Sequence, residues 1–190
     1  MHAENSKSAQ QQIQLKPSYT SADDDAERKA GLDVAYFAGG CFWGTQYEFD
    51  TIPGVVRTQV GYTGGHTQNP TYRDVCGHGT GHAEAVRVVF DPKKVTFEKL
   101  ATEFFAVHDP TTLNRQGPDI GDQYRSAIFY ENDTQKHLAE KAIADEQKTT
   151  PPGKKVVTQL EKFGTFWTAE EYHQEYFKKT GNASCHIRRK

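Results

Sequence analysis

Six residues, Gly39-Gly40-Cys41-Phe42-Trp43-Gly44, place one sulfur between a pair of glycines and a pair of aromatics. The apolar run Val34 to Ala38 ahead of them reads as a strand, and Thr45 to Thr51 behind them as a short helix stopped by Pro53-Gly54. A cysteine at a strand-to-helix turn meets backbone N–H groups and the positive end of the helix dipole, and both favour thiolate over thiol. The flanking glycines let backbone approach a ligand closely. A plain buried cysteine in a hydrophobic turn is the competing reading. The glycines and aromatics around Cys41 favour a reactive site.

A second chemical group lies in Ala83 to Asp91, a strand ended by Pro92. Alternate residues of a strand share a face, so Glu84 lies with Val86, Val88 and Phe90. A carboxylate on an apolar face is costly unless protonated or paired, and desolvation raises its pKa toward what a general acid needs at neutral pH. Strand ends also lie near solvent, so parity alone leaves an exposed Glu84 equally open.

A cysteine nucleophile serves hydrolysis, group transfer or redox chemistry. Hydrolysis or acyl transfer calls for a histidine base; eight histidines allow one, and none is singled out by spacing. Redox work calls for a second thiol to resolve the oxidised first one. Cys185, in a polar C-terminal tail, is the better placed candidate, and Cys76, between turn residues, the weaker. His66, Cys76, His78 and His82 match no compact zinc spacing, so no metal site is expected.

The elements that must position these groups follow in order. Residues 1–31 are polar, carry Asp23-Asp24-Asp25, and read as a flexible or surface-wrapping arm, with folding expected from Leu32. Val55 to Gly61 reads as a strand, and 62–81 as a long glycine-rich loop carrying Tyr62, His66, Tyr72, Cys76 and His78. Thr96 is placed to cap a helix with Phe97, Leu100, Phe104 and Val107 on one side. Residues 111–124 form a second polar loop with Asp119, Asp122 and Tyr124. The strand Arg125 to Tyr130, the helix Asp133 to Lys148 and the strand Val156 to Leu160 follow. Thr168-Ala169-Glu170-Glu171 fits a capping box opening a helix that ends at Gly181. This order predicts an α/β (α+β) two-layer sandwich. Its central sheet is mixed and largely antiparallel, flanked by helices, with long functional loops and a coiled C-terminal tail. Residues 32–190 are expected to form one catalytic domain, with 181–190 as a mobile tail.

The 190 residues carry a net charge of −2, with a pI near 6.4, which leaves no basic footprint for nucleic acid. No apolar run reaches a membrane span, and Met1 to Gln12 lacks a signal-like apolar core, so a cytoplasmic monomer is the expectation. Three cysteines are too few for a disulfide scaffold.

The hexapeptide resembles the signature of the peptide methionine sulfoxide reductase A family. Further blocks agree in order: Val60-Gly61-Tyr62-Thr63-Gly64-Gly65, Asn69-Pro70-Thr71-Tyr72, Gly81-His82-Ala83-Glu84-Ala85-Val86, Asp119 to Ser126, and Glu171-Tyr172-His173-Gln174. The resemblance spans about 34–185 and implies reduction of methionine S-sulfoxide in oxidised proteins or peptides. In that scheme Cys41 attacks the sulfur and Glu84 protonates the oxygen. Tyr72 and Tyr124 hydrogen-bond to it, Phe42 and Trp43 receive the methyl group, and Asp119 orients the substrate. Cys185 matches the recycling cysteine, thioredoxin the external reductant, and no resident cofactor is implied. Two departures stand out: His78 occupies a position that is often glycine, and no second recycling cysteine follows Cys185.

Overall fold

The computed structural model describes residues 14–182 and Arg189. Among the described residues nine strands and six helices run in chain order: β1 (Ser18–Tyr19), α1 (Ser21–Lys29), β2 (Asp33–Ala38), α2 (Phe42–Asp50), β3 (Val55–Thr63), α3 (Tyr72–Cys76), β4 (Ala83–Phe90), α4 (Phe97–Ala106), β5 (Arg115–Gln116), β6 (Asp119–Ile120), β7 (Ala127–Tyr130), α5 (Asp133–Thr149), β8 (Gln159–Lys162), β9 (Phe166–Thr168) and α6 (Tyr176–Thr180). Seven strands form one sheet in the order β1-β9-β3-β4-β2-β7-β8, and β5 and β6 make a small hairpin. Every pair in the large sheet is antiparallel except β7 with β8. The mixed, largely antiparallel sheet and its flanking helices are those expected.

β4 is the centre. All eight of its residues are buried, and its Val-rich sequence suits a strand covered on both sides. Its even-numbered residues Val86, Val88 and Phe90 join a core with Phe49 of α2, Phe97, Leu100 and Phe104 of α4, and Ala139 of α5. Ala83, Ala85 and Val89 face the other side with Tyr36, Phe163 and Phe166. Thr96 caps α4 as expected, accepting the Lys99 N–H.

The register decides which residues meet at the sheet's end. β2 and β4 pair Phe37 with Val86 in antiparallel register, so two residues later in β2's direction and two residues earlier in β4 reach Gly39 and Glu84. β4 also pairs Glu84 with Tyr62 of β3, and β2 pairs Ala38 with Ala127 at the start of β7. The turn into Cys41, the Glu84 side chain, Tyr62 and the segment leading into β7 therefore share one end of the sheet.

The expected polar arm is corrected over its second half. β1 and α1 lie within it, and residues 1–13 lie outside the described residues. The acidic run that read as a solvated stretch has three separate tasks. The Asp23 carboxylate accepts from the Thr20 N–H and hydroxyl at the helix start. Asp24 is 0 % exposed and takes Arg87, itself 1 % exposed, through Nε at 3.1 Å and Nη2 at 2.6 Å. Tyr36 donates its hydroxyl to Asp24 at 2.6 Å, and Gln59 accepts from Arg87. Asp25 pairs with Arg28 at the surface. Composition could not reveal this, because Arg87 and Asp24 are 63 residues apart. A buried charge needs its partner, and that pairing pins α1 to the sheet.

Beside this pair, the Glu131 side chain is buried and bound by Arg28. Burial first, and the Asp24 charge second, push its carboxyl up to about 8, against the opposing pull of Arg28. The folded state thus holds a proton that the unfolded chain releases near 4.5. This contribution to stability is complete below that value and is lost as pH rises toward 8. In thermal melts across this window, Glu131→Gln is expected to remove part of the decline seen with rising pH; identical slopes would contradict a proton held on Glu131. Asp24→Ala strands Arg87 and is expected to cost about 3–5 kcal/mol in chemical denaturation. The exposed Asp25→Ala should cost less than about 1 kcal/mol.

Candidate active site

Cys41 stands at the N-terminus of α2, outside the first helical turn, with its carbonyl accepting the Thr45 N–H at 3.3 Å. Two glycines make the turn. Gly40 has φ of 84°, the left-handed region, and a Cβ added to Gly39 would stand 2.9 Å from the Phe104 ring and 3.1 Å from the His108 ring. The first allows the chain to reverse and the second lets it press onto α4. The helix begins at Phe42 rather than Thr45, so the thiol lies at the positive end of the dipole.

Glu84 is 2 % exposed, on the apolar face that strand parity gave it. Its Oε2 accepts the Phe42 N–H at 3.1 Å. One carboxyl oxygen is thus fixed to the first N–H of the helix that Cys41 precedes, so thiol and acid share a helix N-terminus.

Tyr124 closes a 3₁₀ turn, Asp122–Tyr124, just after the β5–β6 hairpin. Burial chiefly, and then the charges of Glu84, Cys76, Asp119 and Cys41 in falling order, hold its hydroxyl well above the usual phenol range. Burial also raises Tyr72, aided by its hydrogen bond to Cys76 and by the charges of Cys76, Glu84 and Tyr124. Both phenols therefore keep their protons at neutral pH and can donate. Glu84 and Cys76 thus act electrostatically on both hydroxyls, and Asp119 and Cys41 act on that of Tyr124. Cys76 lies at the end of α3, four residues after Tyr72 and on the same helical face; burial raises its thiol pKa.

The aromatic side is built around His173. Trp43 donates Nε1–H to His173 Nδ1 at 3.0 Å, and its indole stacks on Tyr176 at 3.7 Å. Phe42, Tyr72 and Tyr172 all pack on the His173 ring. Burial lowers the His173 pKa, so the neutral ring serves as the acceptor that Trp43 requires. Glu170 holds the next layer, accepting the Tyr62 hydroxyl at 3.1 Å and the Tyr72 N–H at 3.1 Å. Gln174 acts like a short strand for β3, bonding both the N–H and the carbonyl of Val60.

This corrects the expected helix from Thr168. Thr168 belongs to β9 and donates its hydroxyl to the Lys16 carbonyl, while Glu170 is taken by the two tyrosines. With the Thr168 hydroxyl engaged by the Lys16 carbonyl and Glu170 by the tyrosines, a 3₁₀ turn, Glu171–His173, and the short α6 form instead. Glu170, His173 and Gln174 are the positioning residues that reading the sequence for caps did not find. Their signal was a cluster of polar side chains between apolar neighbours.

Three buried histidines have other commitments. His82 accepts the Gly65 N–H at Nδ1 and bonds the Thr67 carbonyl through Nε2. His108 bonds the Phe104 carbonyl and the Ser126 hydroxyl, and His173 holds Trp43. The long loop that contains His78 bends there with φ of 64°, a conformation that suits the glycine often found at that position. Among the described residues, no group of three His, Cys, Asp or Glu side chains is arranged to hold a metal, and no helix is long and apolar enough to cross a membrane. Cys185 lies outside the described residues.

A family described as peptide methionine sulfoxide reductase matches residues 33–190. The chain is 49 % identical over 162 residues to a protein of Oryza sativa subsp. japonica named peptide methionine sulfoxide reductase A2-1, covering 85 % of this chain and 86 % of that one. Among solved structures, reduced Mxr1 from Saccharomyces cerevisiae superposes with a TM-score of 0.78 at 36 % identity, over 85 % of this chain and 94 % of that one. Mxr1 in complex with Trx2 matches with a TM-score of 0.58 at 25 % identity, covering 85 % of this chain and 92 % of that one. The chain belongs to the peptide methionine sulfoxide reductase family, as an oxidoreductase of the MsrA type.

Proposed function

We propose that this reductase acts on the S epimer of methionine sulfoxide, free or within oxidised polypeptides, with Cys41 as the nucleophile. The Cys41 thiolate attacks the sulfoxide sulfur while Glu84 gives its proton to the oxygen. Oxygen passes to the Cys41 sulfur as a sulfenic acid, and methionine leaves. Neutral sulfoxide is a poor electrophile until its oxygen gains a proton, so thiolate and acid must act together. The Phe42 N–H to Glu84 bond carries this reading, because it holds the acid on the helix that presents the sulfur. Tyr72 and Tyr124 stay protonated and donate to the sulfoxide oxygen. Asp119 orients the substrate, and Phe42 and Trp43 receive the methyl group. An apolar methyl site opposite a polar oxygen site discriminates epimers, since the wrong one leaves polar groups unpaired.

Cys185 then attacks the sulfenic acid, forming a disulfide and releasing water, and thioredoxin reduces the disulfide. The Mxr1–Trx2 complex among the structural relatives supports this choice of reductant. A hydrolase using Cys41 with a histidine base finds little support, because the three buried histidines are bonded elsewhere.

Methionine release from each enantiopure sulfoxide tests the first half. The S epimer is expected to react and the R epimer not. Cys41→Ser should abolish release, and Glu84→Gln should slow it by about 10²–10⁴-fold, the usual share of a general acid. Full release by Glu84→Gln at neutral pH would remove Glu84 from the mechanism. For the second half, Cys185→Ser should stop turnover driven by thioredoxin yet keep turnover driven by a small dithiol; normal turnover with thioredoxin would refute the assignment.

A further inference from the structure

α4 carries no basic side chain in its last turn, so its final carbonyls lack the cation that a helix C-terminus favours. Arg189 supplies one from the far end of the chain. Its backbone N–H donates to the Ala106 carbonyl at 2.7 Å. Its Nη1 donates to the carbonyls of Phe105 at 3.1 Å and His108 at 3.4 Å, and meets Glu146 of α5 at 2.6 Å. Arg189 is thus bound through backbone and side chain, to two helices at once.

This docking point backs onto the catalytic turn. His108, whose carbonyl takes Arg189, packs its ring against Gly39, two residues before Cys41. Cys185 stands four residues before Arg189, a length that reaches at most about 14 Å. A docked Arg189 confines the volume open to the Cys185 sulfur, and confinement near a target raises effective concentration without any new contact at the reacting atoms.

We infer that Arg189 is a positioning residue for recycling: docked on the last carbonyls of α4 and on Glu146, it fixes one point of the chain, four residues after Cys185, behind the Cys41 turn. The inference rests on the proposed role of Cys185 as resolving thiol. In that step the Cys185 sulfur attacks the sulfur of Cys41–SOH. The S–S bond forms, the S–O bond breaks, and the departing hydroxide takes the Cys185 proton to leave as water. Arg189 touches none of these atoms.

The test is a single turnover of the reduced, full-length protein with one equivalent of methionine S-sulfoxide, following methionine release and loss of free thiols separately. Arg189→Ala is expected to release methionine at the wild-type rate and lose thiols about tenfold more slowly, as tethering sets the rate of an intramolecular step. Arg189→Lys keeps a cation for the carbonyls and Glu146 and should restore much of the rate, which a general structural defect would not predict. Cys185→Ser is run alongside. If it loses thiols normally, the role of Cys185 falls and the anchor with it. If it fails to lose them while Arg189→Ala matches wild type, the anchor alone is refuted.

Discussion

The hydrogen bond from the Phe42 N–H to Glu84 joins two constraints that neither residue could meet alone. A helix N-terminus has N–H groups without intrahelical partners, and a carboxyl group buried on an apolar strand face lacks water. Each supplies what the other lacks. The bond forms only because β2 and β4 pair in a register that brings Gly39 beside Glu84. A slip of one residue would turn Glu84 to the opposite face, where the Arg87–Asp24 pair sits, and would leave the start of α2 facing a small apolar side chain. Sheet register and site chemistry are therefore one constraint.

The opposite face shows why that register holds. Arg87 lies on β4 three residues beyond Glu84 and so points the other way. It is locked by Asp24, Tyr36 and Gln59, and its guanidinium lies 4.1 Å from the centre of the Tyr19 ring. A shifted β4 would leave Arg87 buried without these partners, a larger loss than a mispaired apolar residue would cause. One strand thus carries two buried ionisable groups facing opposite ways, and the structural one fixes the register that places the other.

Much of this was legible in the sequence. The strand–turn–helix around Cys41, the parity of Glu84 and the Thr96 cap all rest on near neighbours in the chain, where periodicity and capping rules operate. The mixed, mainly antiparallel sheet followed from the order of elements. What escaped has its cause at long range. Asp23-Asp24-Asp25 looks solvated until Arg87 is known to lie beneath it. Residues 72–76 look like loop, because a helix of five residues has almost no intrinsic stability; Thr71 caps it, and Glu170 takes the Tyr72 N–H from 98 residues away.

The stretch 168–175 carries the argument furthest, since there the local signal was strong and the outcome different. A capping box contributes about 1 kcal/mol or somewhat more. Against it stand a carboxylate shared by Tyr62 and Tyr72, an imidazole holding Trp43, and an amide paired with Val60 in the core. Leaving such groups unpaired where they are buried would cost about 1–3 kcal/mol each, so the tertiary bonds prevail. Glu175 even takes a left-handed conformation, with φ of 52°, to let the chain turn into α6. Consistent local preferences are the rule in natural sequences, and departures gather at functional sites. Here the departure falls on the residues that fix the aromatic wall and the Tyr72 backbone, so the failure of a good helix signal is itself a mark of where the site lies.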